Sequence, residues 1–400
     1  MPFSKFGLSE PILKAIADQG YDTPTNIQNK AIPVVLRGEN LIAAAQTGTG
    51  KTASFVLPIL QKLSQGKTQK KKRFRALILV PTRELAIQVN DSITRYGKHL
   101  DIQSLAMYGG VDYQPQKQKL IEGIDILVAT PGRLIDLYGQ HAVHFEEAEI
   151  LVLDEADRML DMGFIEDINK IISRLPKDIQ NLLFSATLSN PVRELARTAI
   201  DDATEIAITK HSASKASIKQ WLVTVDKDKK SALLSHILLE ERWAQALIFI
   251  ETKHGAAKLV SQLEKRGIQA EAFHSGRNQA SRARVLEEFK SGKVKYLVAT
   301  GVAARGIDID DLPCVINYDL PFPADEYVHR IGRTGRAGAS GEALSLVSKD
   351  NFKNLCMIES RLGHLIDRET IEGFTPKKEV PISILNYVPK HKRLDNQDPS

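Results

Sequence analysis

Short apolar runs of strand length alternate with helical patterns twice over along this 400-residue chain, and that alternation limits the fold more than any other feature. In the first half the runs include Ala76–Val80, Ile126–Ala129, Ile150–Leu153 and Leu182–Ser185, with a helix-like stretch from Arg83 to Leu100 between the first two. In the second half they are Gln220–Val225, Ala246–Ile250, Gln269–Phe273, Val294–Ala299, Cys314–Tyr318 and Glu342–Val347. Between Thr252 and Gly267, the residues Ala256, Leu259, Val260 and Leu263 recur at helical spacing and end at a glycine stop. Runs that are apolar throughout predict strands buried on both faces, in parallel sheets with helices on each side. Residues 209–217 are small and polar without periodicity and read as a linker. The expectation is an α/β chain of two tandem domains, 1–208 and 218–372, each a mostly parallel sheet. From Gly373 onward prolines and charges dominate, which predicts an extended basic tail over 373–400.

The most specific segment lies in the first half. Ala45-Gln46-Thr47-Gly48-Thr49-Gly50-Lys51-Thr52 follows a short strand (Leu41 to Ala43) and opens a helix read over Ala53 to Leu63. It is close to the phosphate-loop pattern G-x-x-x-x-G-K-[ST], with Ala45 in the first glycine position. Backbone N–H groups of such a turn, with the helix N-terminus behind them, suit a polyphosphate. Lys51 would reach the outer phosphates and the Thr52 hydroxyl would sit on Mg²⁺. Asp154-Glu155-Ala156-Asp157 follows the apolar run Ile150–Leu153. Carboxylates just past the C-terminal end of a buried strand stand where open α/β sheets bind ligands. Asp154 can hold the metal through a water shell, and Glu155 can orient or deprotonate the attacking water. Without a cation this acidic pair would be costly at a strand end.

The second half has no phosphate loop of its own, which argues against a second nucleotide site. It carries instead Tyr327-Val328-His329-Arg330-Ile331-Gly332-Arg333-Thr334-Gly335-Arg336-Ala337-Gly338. Arg330, Arg333 and Arg336 are three residues apart and would share a helical face. Clustered guanidiniums imply an anion between them. Arg333 and Arg336 are the candidates for arginine fingers on a γ-phosphate, a role worth roughly 10³ to 10⁵ in rate. The net charge of +5 permits a nucleic-acid partner without demanding one. Lys67 to Arg73 holds five basic residues, readable as a solvated loop or as an RNA-facing patch. Two cysteines, Cys314 and Cys356, do not make a disulfide framework or a zinc site. Neither a signal-type run at Met1 to Lys5 nor an apolar stretch of membrane-spanning length is present, which predicts a cytoplasmic protein without a membrane partner.

These motifs together closely resemble the DEAD-box family of ATP-dependent RNA helicases, over about residues 3 to 370 and in the family's order. The compact core and the Ile371-Glu372-Gly373-Phe374 exit look most like bacterial RhlE-type members. The resemblance implies two tandem RecA-like domains, ATP and Mg²⁺ as cofactors, and RNA held mainly by its backbone. Gly20 to Gln28 looks like the family's Q motif, which implies that Gln28 reads the adenine edge, Phe3 stacks on the base and Tyr21 lies beside it. Thr82 and Arg83, Gly109 and Gly110, and Thr130 and Arg133 match positions that line an RNA backbone track. In the second half Gln279, Arg282 and Thr300 match further RNA positions, and Asp308 a nucleotide position. Ser185 and Thr187 resemble a coupling motif that would bond to the region of Asp157 and His329.

Several positions depart from the commoner family pattern. Asn26 stands for a frequent proline and Tyr21 for a frequent phenylalanine. Gly301 stands where many members carry aspartate, which can loosen inter-domain or RNA contacts, while Arg305-Gly306-Ile307-Asp308 is intact. The implied activity is RNA-stimulated ATP hydrolysis that drives local, non-processive unwinding of short duplexes or remodelling of RNA–protein complexes, in ribosome assembly or RNA turnover. The protein is expected as a monomer, with ribosomal or RNA-decay proteins as candidate partners. Two other readings remain: an RNA clamp or remodelling platform whose ATPase only times release, which uses the same residues, and a DNA helicase or DNA-dependent ATPase, which the adenine-reading Gln28 disfavours.

Overall fold

The computed structural model describes residues 2–45, 48–65, 73–208, 218–240, 243–304, 307, 309, 311–335 and 340–385. The chain divides into two compact units with the boundary between His211 and Ser212. The expected linker, 209–217, lies outside the described residues.

The first unit is built on seven strands: β1 (Asn40–Ala44), β2 (Ala76–Leu79), β3 (Ser104–Met107), β4 (Ile126–Ala129), β5 (Ile150–Leu153), β6 (Gln180–Ser185) and β7 (Ala203–Ala207). They are ordered β3-β4-β2-β5-β6-β1-β7, and every pairing is parallel. The apolar runs are explained by their surroundings. Each residue of β2 and of β5 is buried, with Ala76 opposite Ile150 and Leu79 opposite Leu153. Along β2, Ala76 and Ile78 enter one apolar cluster and Leu77 and Leu79 another, so helices cover both faces. A buried Leu or Ile contributes roughly 1.5–3 kcal/mol, so a polar residue at Ile78 or Leu79 would break the layer.

The second unit repeats the design with β8 (Ile218–Thr224), β9 (Ala246–Ile250), β10 (Ala270–Phe273), β11 (Tyr296–Thr300), β12 (Cys314–Asn317), β13 (Gly341–Val347) and β14 (Asp367–Glu369). Their order is β10-β11-β9-β12-β13-β8-β14, again parallel throughout. Counted within each unit, both sheets run 3-4-2-5-6-1-7.

Three strands without a strong sequence signal, β3, β7 and β14, all lie at sheet edges. An edge strand is covered on fewer sides, so it needs no continuous apolar run. β14 is Asp-Arg-Glu, placed by its ladder to β8. The helix expected from Arg83 to Leu100 stops at Tyr96, where Gly97 N–H closes on the Ile93 carbonyl at 2.7 Å. The segment after Gly373 forms no helix or strand up to Leu385, but it is tied down. The Arg368 guanidinium donates to the Val380 and Pro381 carbonyls at 2.8 and 2.7 Å, and Val380 is buried. Residues 386–400 lie outside the described residues. Among the described residues no helix is long and apolar enough to cross a membrane. Cys314 and Cys356 are buried free thiols.

Candidate active site

In the first unit the strand order sets β5, β6 and β1 side by side, so their carboxyl ends form one half of a sheet edge. β1 runs out through Ala45, whose N–H donates to the Ser185 carbonyl at the end of β6 (3.0 Å). The chain then turns through Gly48 and Gly50, with φ of 76° and 87°, into the helix Lys51–Ser64. A Cβ on Gly50 would meet the Gln28 Nε2 at 2.5 Å and the Thr25 Oγ1 at 3.1 Å, so the turn needs glycine for space as well as for backbone angle. Gln46 and Thr47 lie outside the described residues.

Lys51 opens the helix. It is only 6% exposed, and its Nζ finds no hydrogen-bond partner among the described residues. A buried ammonium is costly unless an anion meets it, so the residues present fit a phosphate-bearing ligand. Thr52 follows, half-buried, in the first helical turn.

Asp154 stands one residue past β5, 3% exposed, and its N–H donates to the Leu79 carbonyl at 3.0 Å. Burial pushes its carboxyl up to about 6; Lys51 opposes the rise and the Glu155 charge adds to it. A carboxylate so placed gains from a cation. Among the described residues no group of three or more His, Cys, Asp or Glu gathers to hold a metal ion. Magnesium suits that inventory, because it is held by one or two carboxylates, substrate phosphates and water rather than by a protein cage.

Glu155 adopts a left-handed conformation (φ 54°, ψ 49°) as it caps the short helix Ala156–Asp161. Such a backbone costs a non-glycine residue on the order of 1–3 kcal/mol and clusters at functional sites. Its Oε2 accepts from the Arg158 Nη1 at 2.9 Å, with both side chains 8% exposed. The sequence motifs do not single out Arg158. Its spacing three residues after Glu155 on a helix is the signal that could have found it.

Asp157 ties this turn to β6. Its Oδ2 accepts from the Ala186 N–H (3.1 Å), the Thr187 N–H (3.1 Å) and the Thr187 hydroxyl (3.3 Å). The Ser185 hydroxyl donates to the Thr187 carbonyl at 2.7 Å. The expected bonding of Thr187 to Asp157 is therefore present within the unit, whereas Ser185 acts through Thr187.

The Q-motif residues divide. Gln28 is buried in a capping box: its Oε1 accepts from the Thr25 N–H at 2.8 Å and its Nε2 donates to the Gly50 carbonyl at 3.2 Å. The amide expected to read adenine thus also ties a helix start to the phosphate loop. Phe3 does not lie open for stacking. It is 6% exposed, within the apolar core, with its ring edge-on to Phe6 at 6.1 Å. An apolar ring beside Leu8 and Ile12 gains more from burial than from exposure. Tyr21, 54% exposed, is the open aromatic.

The other half of the same edge belongs to the neighbours β3, β4 and β2. Thr82 follows β2 and caps the helix Arg83–Tyr96, its hydroxyl accepting from the Leu85 N–H at 3.3 Å. Arg83 lies against Gly110 (φ 76°) so closely that a Cβ there would collide with the guanidinium. Gly109 faces open space. Thr130 follows β4 and caps the helix Pro131–Gly139, from which Arg133 donates to the Val111 carbonyl at 3.2 Å. The first-unit RNA candidates thus share a border, distinct from that of the nucleotide candidates.

In the second unit, Gln279 opens the helix Gln279–Lys290 and Thr300 ends β11. Arg282 is buried, its guanidinium 4.8 Å from the Phe273 ring centre, so it packs rather than standing out as a surface contact. Arg330 and Arg333 do not share a helical face. The helix Ala324–Ile331 is capped by Gly332, so Arg330 is helical and Arg333 is not. Arg330 is buried: it donates to the Asp319 carbonyl at 2.9 Å, pairs with Glu326 at 3.6 Å and lies 4.7 Å from the Phe249 ring centre. Its own domain compensates its charge, and no anion is needed. Arg333 is buried after the helix end, and its carbonyl accepts from the Leu312 N–H at 3.1 Å. His329 is half-buried on the helix. Arg336 and Asp308 lie outside the described residues, as does the basic run 67–72.

Residues 25–195 match the family described as DEAD/DEAH box helicase, and residues 228–338 match the helicase conserved C-terminal domain. The chain belongs to the DEAD-box helicases. It is 43% identical over 359 residues to the ATP-dependent RNA helicase CshA of Listeria monocytogenes, covering 89% of this chain and 68% of the relative. It is 38% identical over 401 residues to the ATP-dependent RNA helicase DbpA of Bacillus subtilis, covering 99% and 82%. Among solved structures it is similar to Dbp5 of S. cerevisiae bound to RNA and ADP BeF3, with a TM-score of 0.81 and 32% identity over 92% of this chain and 95% of that one. Mss116 bound to ssRNA and UDP-BeF also gives a TM-score of 0.81, at 30% identity over 92% and 79%. These two bacterial relatives carry the names CshA and DbpA rather than RhlE.

Proposed function

We infer that this chain is an ATP-dependent RNA helicase whose ATP hydrolysis is stimulated by RNA. Family membership and relatives solved with RNA and an ADP–beryllium fluoride complex support it. The observation that carries it is the buried Lys51 Nζ beside a glycine turn and the buried Asp154. The Gly48 to Lys51 backbone and the Lys51 ammonium take the phosphates. Thr52 and Asp154 would hold Mg²⁺, which would supply positive charge to the phosphates. Glu155, steadied by Arg158, holds the attacking water and receives its proton. Tyr21 and Gln28 flank the base. Thr82, Arg83, Gly109, Gly110, Thr130 and Arg133 take the RNA backbone, with Gln279 and Thr300 from the second unit. Arg333 and Arg336 supply positive charge to the γ-phosphate, and Asp157, Thr187 and His329 link that step to RNA binding.

Energetics favour short duplexes. With the DNA value as a stand-in, stacking averages roughly 1.4 kcal/mol per step, so twenty steps need about 28 kcal/mol. Non-covalent affinity saturates near roughly 20 kcal/mol. One binding event cannot open a long duplex, and unwinding is local and non-processive. A cytoplasmic location and a part in ribosome assembly or RNA turnover belong to this same proposal. The test is RNA-stimulated ATPase and strand displacement with Lys51→Ala and Glu155→Gln alongside the wild type. Turnover that needs RNA, fails in both variants and displaces short but not long duplexes is expected. Wild-type turnover indifferent to RNA would overturn the reading.

A further inference from the structure

The two sheets share one strand order, so each feature of the nucleotide site has a topological counterpart in the second unit. β1 leads through residues 45–50 to a helix that begins at Lys51. β8 leads through residues 225–229 to the helix Lys230–Leu239, which begins at Lys230. Past β5 stands Asp154, its N–H on the β2 carbonyl of Leu79 at 3.0 Å. Past β12 stands Asp319, its N–H on the β9 carbonyl of Phe249 at 3.2 Å. Lys230 thus occupies the place of Lys51, while Asp319 stands two residues past β12, one further than Asp154 stands past β5.

Their surroundings are reversed. The loop at 225–229 is Val-Asp-Lys-Asp-Lys, without glycine and partly a 3-10 turn. The Asp226 carboxylate there accepts the Lys377 N–H at 3.1 Å, so the segment after Gly373 is fastened to that loop. The Lys230 Nζ, buried like that of Lys51, is fully engaged. It donates to the Tyr318 carbonyl at 2.8 Å and the Asn351 Oδ1 at 3.1 Å, and pairs with the Asp319 Oδ1 at 3.5 Å. It also lies 5.5 Å from the Tyr318 ring centre. Protein groups meet the Lys230 ammonium, whereas that of Lys51 has no hydrogen-bond partner among the described residues.

The contacts lead onward. The Asp319 Oδ2 accepts the Glu251 N–H at 3.0 Å, and the Asp319 carbonyl receives the Arg330 guanidinium at 2.9 Å. Arg330 precedes the turn that carries Arg333, whose N–H bonds back to the Arg330 carbonyl at 3.3 Å. We propose that Lys230 is a positioning residue: the second unit has turned its copy of the phosphate-binding lysine into an internal latch that fixes residues 318 and 319, and through Arg330 sets the Arg333 turn for catalysis. The catalytic part rests on the ATPase reading above.

The experiment uses the full-length chain with Lys230→Met, Lys230→Arg and Asp319→Asn. Amide hydrogen exchange is followed at residues 330–335 and, as an internal control, in β9 and β12. Lys230→Met is expected to speed exchange at 330–335 while the two strands stay protected. RNA-stimulated kcat should fall roughly 10- to 100-fold, as for a misplaced group remote from the chemistry, with KM for ATP within about 2-fold. Lys230→Arg should recover part of both effects. If Lys230→Met unfolds the unit, Asp319→Asn decides by the same two readouts. Unchanged exchange at 330–335 in a folded variant, or faster exchange with wild-type kcat, overturns the proposal. A wild type without RNA-stimulated turnover would defeat the functional reading instead, and the exchange data would still judge the latch.

Discussion

Replacing Asp154 with asparagine should make the ligand-free protein more stable and its chemistry worse. The carboxyl is buried, and its folded pKa is raised from 3.8 to about 6. At 1.36 kcal/mol per pH unit, that rise corresponds to about 3 kcal/mol. The folded pKa lies above the unfolded one, so the native state takes up this proton first as pH falls. The cost of the buried charge is fully present above pH 6 and is relieved between about pH 6 and pH 4. Asparagine keeps the shape and an acceptor for the Glu155 N–H, which now bonds to the Asp154 Oδ1 at 2.9 Å. It resembles the protonated acid. Asp154→Asn is therefore expected to raise the unfolding free energy of the first unit by about 2–3 kcal/mol at pH 7. The gain should shrink towards zero near pH 4. Urea unfolding without nucleotide or metal, at pH 7.5, 6, 5 and 4, measures it, while RNA-stimulated ATPase should be lost. A variant less stable than wild type at pH 7, or a difference that does not change with pH, would refute the argument.

Three further substitutions probe the same edge. Arg158→Ala leaves the buried Glu155 carboxylate without its ion-pair partner and should destabilise the first unit by about 3–5 kcal/mol; calorimetry checks this, and Arg158→Lys should recover part of the loss. Gly50→Ala forces a left-handed residue, at about 1–2 kcal/mol, and drives a Cβ into the Gln28 amide, so ATP affinity by titration calorimetry should fall at least about 10-fold. Gly110→Ala displaces the Arg83 guanidinium and should raise the RNA concentration for half-maximal ATPase roughly 10-fold, with a weaker dependence on salt.

Interior strands are legible in the sequence because burial on both faces leaves an unmistakable mark. Ile126–Ala129, Ile150–Leu153 and Ala246–Ile250 match their apolar runs residue for residue. Of the edge strands only β10 is read from the sequence, as Gln269–Phe273, and Asp367–Glu369 is found only from its ladder to β8. Local placement is legible where spacing along the chain determines it, as for the Gly50 turn, Lys51 at its helix start and Asp154 past β5. It fails where the partner is distant or the backbone changes course. Three arginines at intervals of three suggest one helical face, yet Gly332 ends the helix between the first two. Arg330 has the look of an anion ligand, but Asn317, Asp319 and Glu326 already surround it. Phe3 is of the type that stacks on a base, and only packing reveals it as core.

Sharing one strand order, the two units show what separates a nucleotide site from the fold that bears it. A lysine at the start of the helix after the first strand is not sufficient, because Lys51 and Lys230 both stand there. Nor is a carboxylate shortly past the fifth strand, because Asp154 follows β5 by one residue and Asp319 follows β12 by two. The difference lies in what else reaches the ammonium. In the second unit the Tyr318 carbonyl, the Asn351 amide and Asp319 close on it, and a glycine-free turn leads into the helix. In the first, Gly48 and Gly50 hold the turn back in left-handed geometry and the Gln28 amide braces it. The lysine is then buried without a hydrogen-bond partner among the described residues. A buried ammonium without hydrogen bonds lowers folding stability, so its persistence beside Asp154 and the left-handed Glu155 is best explained by a ligand that completes its contacts.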